Sequence, residues 1–264
     1  MVRNPSAAAG TMGVPARPVI RRIGYDDLRA ALSEGWRDFR ETPTQLVFLG
    51  VIYPLVGFVA ARAAFGYELL PLLFPMLAGI SLLGPVAALG LYEISRRRER
   101  GEPASWVNAF DVLRSPSLFS IAALGVVLFA IFVAWLFVAK AIYVATLGAA
   151  PPDSMGEFLR DVLRTREGRS MILLGNGAGF FFALLVLSIS AVSFPLLLDR
   201  GVGVAEAVRA SMRAMATNPG PMLGWGLAVA VLLVLGSLPC FVGLAVVMPV
   251  LGHATWHLYR RLVA

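Results

Sequence analysis

The chain is poor in what a soluble catalyst is built from. Charged residues make up 15% of its 264 positions, against about 25% in an ordinary soluble domain. There is one cysteine, Cys240, so no internal disulfide can form. There is one lysine, Lys140, and there are two histidines, His253 and His257. No Walker-type phosphate loop, no G-x-S-x-G elbow and no cluster of carboxylates is present. The glycine-rich stretch Gly175-Asn176-Gly177-Ala178-Gly179 sits inside an apolar run without the strand–turn–helix setting a phosphate loop needs; it reads as a site of close helix packing. An ordinary soluble enzyme, a disordered chain and a disulfide scaffold are excluded, and no enzymatic activity or cofactor is expected.

What is abundant is apolar surface. Hydrophobic residues are 58% of the chain and its mean hydropathy is +0.76. A bilayer core about 30 Å thick takes about 20 apolar residues as a helix. Charge-free runs of that length cover residues 42–61, 69–92, 115–139 and 170–198. A last run, 214–259, would be about 69 Å long as one helix, roughly twice the membrane. It must fold back, and Gly236-Ser237-Leu238-Pro239 is the natural turn. The expected fold is therefore all-α: a polytopic transmembrane bundle of six spans arranged as three hairpins, over residues 42–262.

The net charge of +7 and pI near 10.3 would suit nucleic acid, but the arginines sit at the ends of apolar runs and not along one solvated face. Seventeen basic residues fall on one side of the six-span layout: the N-terminal segment, the 93–114 and 199–213 connections and the C-terminus. The other side holds only Arg62, Arg160, Arg164, Arg166 and Arg169, with Lys140 at its edge. The excess of arginine predicts cytoplasmic termini and an anionic membrane surface as the basic partner, with no nucleic acid.

Residues 1–24, rich in Ala, Pro, Gly and Arg, read as a disordered tail and not as a signal peptide. Residues 25–41 read as a surface helix started by Asp26 or Asp27, with Leu28, Leu32, Trp36 and Phe39 in one apolar stripe. It lies either on the membrane or on another cytoplasmic segment. Amphipathic interfacial helices are expected at Trp106–Leu113, at Val204–Met215 and after the capping sequence Ser154-Met155-Gly156-Glu157.

Spans two and six align without a gap at an offset of 164. Pro75, Gly79, Pro85, Arg96 and Arg97 match Pro239, Gly243, Pro249, Arg260 and Arg261. Pro75 and Pro239 suit helix starts, whereas Pro85 and Pro249 would kink the helices at mid-span. Two kinked helices either frame a cavity or pack tightly. Within this repeat, His253 and His257 are i, i+4 on one face, a spacing that can hold a metal or haem, with no third ligand near in sequence. Glu93 occupies the repeat position of His257. It either meets an imidazole at the inner mouth, as in a proton or cation path, or pairs with Arg96 or Arg97 one turn on. Lys140 either snorkels to the surface or is buried and functional. The candidate binding residues are thus Glu93, His253, His257, Pro85, Pro249 and Lys140, with no catalytic or metal-ligating residue assigned.

The string Gly84-Pro85, Gly90-Leu91-Tyr92-Glu93-Ile94-Ser95-Arg96-Arg97, Glu99 and Gly101 resembles the hallmark of a bacterial family of predicted integral membrane proteins, domain-of-unknown-function family 2189. Phe194-Pro195 with Asp199, Asn218-Pro219 and His253-Ala254-Thr255-Trp256-His257-Leu258-Tyr259 also resemble it, over about residues 26–262. The resemblance implies a protein of the bacterial inner membrane and supplies no substrate. Three functions remain open: a non-enzymatic protein that binds lipid, other membrane proteins or its own copies; a small-solute or ion transporter; and a haem- or metal-bearing subunit.

Overall fold

The computed structural model of the protein describes residues 18–42, 71–239 and 241–264. The expected first span, 42–61, lies outside the described residues apart from Thr42, as do residues 1–17 and Cys240.

The described chain is helical. Helix α1 (Tyr25–Glu41) is followed after the undescribed segment by α2 (Leu73–Ile80), a 3-10 turn (Ser81–Leu83), α3 (Gly84–Ala87) and α4 (Leu89–Glu99). A 3-10 helix (Trp106–Arg114) leads to α5 (Leu118–Leu147), α6 (Met155–Arg164), α7 (Arg166–Ser190) and α8 (Ser193–Arg200). The last elements are α9 (Val204–Thr217), α10 (Pro219–Ser237) and α11 (Leu244–Leu262). Four stretches are long and apolar enough to cross a membrane: Leu73–Glu99, Leu118–Leu147, Arg166–Arg200 and Pro219–Ser237. Helix α11 follows the turn expected near Pro239 but is not among the four; its second half carries His253, His257, Arg260 and Arg261.

The prolines of the repeat behave differently from one another. Pro85 stands at the start of α3, after the 3-10 turn, where its missing N–H leaves no helical bond unmade. The stretch is therefore segmented instead of bent at one point. Pro249 lies inside the unbroken α11. Pro239 lies in the turn before α11 and not at its start, because the chain there closes around two glycines. A Cβ on Gly243 would stand 2.7 Å from the Gly236 carbonyl oxygen, so only glycine lets α10 and α11 approach this closely.

At the arginine-rich end α1, α4, α8, α9 and α11 gather into a packed cap. Helix α1 begins with the Gly24 N–H donating to the Asp27 carboxylate at 2.8 Å. Its buried face is Leu28, Ala31, Gly35, Asp38 and Phe39, while Trp36 remains 45% exposed. The apolar stripe read from the sequence was thus rotated: the centre of the face is small, and it is laid along α11. A Cβ on Gly35 would stand 2.5 Å from the Ala254 backbone nitrogen. One helix further, Gly252 packs against Leu91 of α4 with no room for a side chain. The two repeat helices therefore touch, in the tightly packed form. Residues 18–24, read as part of a disordered tail, are engaged instead: Arg21 N–H donates to Leu262 O at 2.8 Å, and Ala264 N–H donates to Val19 O at 3.0 Å.

The connecting helices divide between two kinds of surface. The Trp106–Arg114 segment is a 3-10 helix and not the α-helix its spacing suggested, with Trp106, Phe110 and Leu113 at least half exposed. Helix α6 starts as expected, with Ser154 Oγ accepting from Glu157 N–H at 3.1 Å, and exposes Leu159 and Leu163. Helix α9 instead turns Ala207, Ala210, Ser211 and Ala214 into the core. Ser211 Oγ there accepts the Val192 N–H left free by the break between α7 and α8.

Candidate functional site

The polar centre of the cap is built by three helices. Helix α1 supplies Glu34 and Asp38, α4 supplies Ser95 and Arg98, and α11 supplies His253, His257 and Arg261. The close glycine contacts of α1 and α4 on α11 bring these side chains within hydrogen-bond reach. Ser95 Oγ, fully buried, donates to Asp38 Oδ2 at 2.6 Å and lies 2.8 Å from His253 Nδ1. A hydroxyl has one proton, and an ionised carboxylate can only accept. The proton therefore goes to Asp38, and His253 Nδ1–H donates to Ser95. His253 Nε2 is buried without a hydrogen-bond partner.

Asp38 also receives His257 Nε2 at 2.8 Å and Arg98 Nε at 3.0 Å. Burial by itself would raise its pKa, but the donors from His257 and Ser95 and the Arg98 charge outweigh it and bring the carboxyl down to about 2. His257 Nδ1 lies 3.2 Å from Glu34, which is gripped by both terminal nitrogens of Arg261 at 2.8 and 3.0 Å. That fork holds the Glu34 carboxyl below its usual range. Arg98 also pairs with Glu41.

Serine, histidine and aspartate meet here, but not as a nucleophile triad. In a triad the imidazole stands between hydroxyl and carboxylate. Here the hydroxyl stands between the other two, and all three side chains are buried. Among the described residues, no group of three or more His, Cys, Asp or Glu side chains is placed to hold a metal ion. His253 and His257 share a face as their spacing required, yet each faces different partners.

Glu93 lies apart from this network. It is 3% exposed, with Arg96 Nη2 2.6 Å from Oε2 and Arg97 Nε 3.2 Å from Oε1. Its partners are thus the arginines one turn on and not the imidazole of His257. Glu93 reaches a cleft of about 500 Å³ at the arginine-rich end, whose lining includes Arg97, Asp111, Arg114 and Asp199 but neither Pro85 nor Pro249. Asp199 accepts from Tyr259 Oη at 2.7 Å and pairs more loosely with Arg260 and Arg200. Lys140 is half-buried on α5, its ammonium 5.3 Å from the centre of the Tyr143 ring. Of the glycine-rich stretch on α7, only Gly179 makes a close contact, against Trp135; Gly175 and Gly177 face open space.

Asp38, Ser95 and Arg98 were missed by sequence reasoning. Asp38 falls three residues after Gly35 on the small face of α1. An acidic residue on a face of small residues is the signal that could have found it.

Residues 73–199 match the model of a family described as predicted integral membrane protein (DUF2189). The match takes in Gly90-Leu91-Tyr92-Glu93, Ser95, Phe194-Pro195 and Asp199; the histidine pair lies beyond it. No curated protein and no solved structure matches the chain.

Proposed function

We propose that this is a non-enzymatic, multi-pass protein of the bacterial inner membrane that holds lipid or a protein partner on its arginine-rich side. In this reading the chain crosses the membrane six times as three hairpins. Residues 42–61 and the apolar half of α11 complete the four spans, and both termini are cytoplasmic. The arginine distribution supports that orientation. The observation that carries the functional reading is the state of the reactive side chains. Ser95, Asp38, His253 and His257 are joined to one another across three helices; the first three are shut away from solvent and His257 is half-buried at the edge, as in a structural core.

Solute or ion transport near the ends of α4 and α11 is the second reading, favoured by the cleft that reaches Glu93. A haem- or metal-bearing subunit is the weaker one, because both histidines already have side-chain partners. A native mass spectrum of the protein released from lipid nanodiscs separates the three. Retained phospholipid or a second protein chain supports the first reading. A haem or metal mass overturns it in favour of the third. A bare protomer that moves a solute across a sealed vesicle overturns it in favour of the second.

A further inference from the structure

We infer that the cleft beside Glu93 is a binding site for a singly charged phosphate ester, and that its occupant is the headgroup of an anionic phospholipid. This deepens the lipid-holding reading above and rests on it.

The chain around the cleft runs from polar to apolar within a few residues. Arg114 is exposed and lines it, and so does Ser117 at the start of α5. On either side stand Leu113, 64% exposed, and Phe119, 86% exposed. Trp106 and Phe110 of the 3-10 helix add to the same outward apolar surface. An integral membrane protein carries such aromatic groups at headgroup depth. The cleft thus opens where a lipid phosphate would lie, with apolar surface beside it for the acyl chains.

Its charges are arranged to hold arginines and not to cancel them. Glu93 is clamped by Arg96 and Arg97. Asp111 accepts from Asn108 Nδ2 at 2.9 Å and meets Arg97 Nη2 at 3.1 Å and Arg114 Nη1 at 3.6 Å. Asp199 lines the cleft too and is engaged by Tyr259 and Arg260 and, more loosely, by Arg100 and Arg200. The lining itself pairs three carboxylates with three guanidiniums. With the groups they bridge to, Glu99, Glu102, Arg100, Arg200 and Arg260, five carboxylates serve six guanidiniums, which leaves one positive charge around the cleft. The Arg96 Nε–H is buried with no acceptor, a costly state for a charged donor. Arg97 is fixed among three acids, Glu93, Asp111 and, at 3.9 Å, Glu102, so little side-chain entropy is lost when it binds an anion. The start of the 30-residue α5, which no side chain caps although Ser117 and Leu118 N–H turn back to Ser115, adds a favourable dipole. A phosphodiester has one negative charge and two unesterified oxygens, which match one surplus guanidinium and the neighbouring N–H groups.

The test uses the full-length protein in nanodiscs of phosphatidylglycerol and phosphatidylcholine, released into a native mass spectrometer. Arg114→Glu reverses the exposed cleft arginine. Arg209→Glu is the control, since Arg209 is 67% exposed on α9 and pairs with Glu206 outside the cleft. Wild type and R209E should each retain one phosphatidylglycerol, and R114E should lose it by about tenfold. Calorimetry with glycerophosphoglycerol, the deacylated phosphodiester of phosphatidylglycerol, on lipid-free protein distinguishes the source. Binding that R114E abolishes, in a protein that retains no phosphatidylglycerol, keeps the phosphate site but overturns the lipid as its occupant. If R114E retains lipid as wild type does, or if R209E loses it equally, the cleft is not the site, although the lipid-holding reading survives. A wild-type protein that keeps neither lipid nor partner and binds no glycerophosphoglycerol overturns both.

Discussion

The arginine-rich cap and the apolar shaft of this protein are held together by different means. In the cap, α11 buries ten of its nineteen residues and α8 buries six of eight. Helices touch there through Gly35, Ala254 and Gly252, and ion pairs close the seams. In the shaft, the most apolar windows of α2–α4, α5 and α10 are only 12%, 22% and 17% buried within the protein. Phe119, Leu173 and Phe181 stand outward, more than 60% exposed. In water such surface would drive aggregation. In lipid it costs nothing, because acyl chains are as apolar as leucine. The lesson is that burial must be judged against the local solvent. The cap needs a core because it meets water, and the shaft needs only contacts that keep its backbone satisfied.

The largest effect should come from the middle of the cap. Asp38→Ala removes the acceptor shared by Ser95, His257 and Arg98 and leaves buried donors and charge unpaired. Breaking a buried pair in this way costs about 3–5 kcal/mol. The expected outcome is a large fall in thermal midpoint in detergent, with protease cleavage within 25–41. A small fall would mean that the cap is held by packing alone.

Gly35→Ala should come next. The added Cβ must push α1 off the Ala254 backbone, an overpacking cost of about 1–3 kcal/mol. Both variants should leave the shaft helical, so that circular dichroism changes far less than protease sensitivity does. Equal loss in both observables would erase the distinction between the two regions.

Acid should act on the cap in the same sense. Asp38 is depressed to about 2 from an ordinary value of 3.8. A depressed carboxyl contributes stability above its unfolded pKa and loses that contribution as pH falls through the folded one. Glu34, held low by Arg261, adds in the same direction. The thermal midpoint should therefore be flat toward pH 5 and fall between about pH 4 and pH 2. Asp38→Asn, already destabilised at neutral pH, should show a shallower fall. An unchanged acid slope in that variant would locate the sensitivity elsewhere.

These contrasts also explain what the sequence disclosed. Solvent change is written in composition, so three apolar runs and the turn near Pro239 could be read directly, and the capping serine of α6 was legible from its spacing. The faces of the cap helices were not. A face made of Ala31, Gly35 and Asp38 has almost no hydrophobic signal, because tight helix contact selects small residues and not large ones. The spacing of Trp106, Phe110 and Leu113 identified an exposed apolar surface but named the wrong helix type, since outward-facing side chains constrain the backbone little. Of the candidate site, His253, His257 and Glu93 were found by chemistry. The partners of the two histidines, Ser95 and Asp38, come from segments 57 residues apart and were visible only after folding.

Within the shaft, one specific contact should still register. Trp135 Nε1 donates to Pro75 O at 2.8 Å, a carbonyl near the start of α2. Trp135→Phe should cost about 0.6 kcal/mol, and at most about 1.7, the range of side-chain hydrogen bonds inside membranes. Cleavage within 25–41 should not change.

The smallest effect should come from Leu173→Ala on α7. Leu173 is 76% exposed, so its removal opens no cavity and exchanges leucine–lipid contact for lipid–lipid contact. The change should fall within about 0.5 kcal/mol, as at ordinary surface positions. Leu197→Ala is the matched deletion in the cap, where the side chain is 0% exposed on α8, and the same truncation should cost about 2–5 kcal/mol. Two leucines with the same chemistry then differ only in what surrounds them. If both deletions cost the same in phospholipid nanodiscs, the outward face of α7 is covered by protein and not lipid. The shaft would then have a partner or a second copy against Leu173, and crosslinking from that position should capture it.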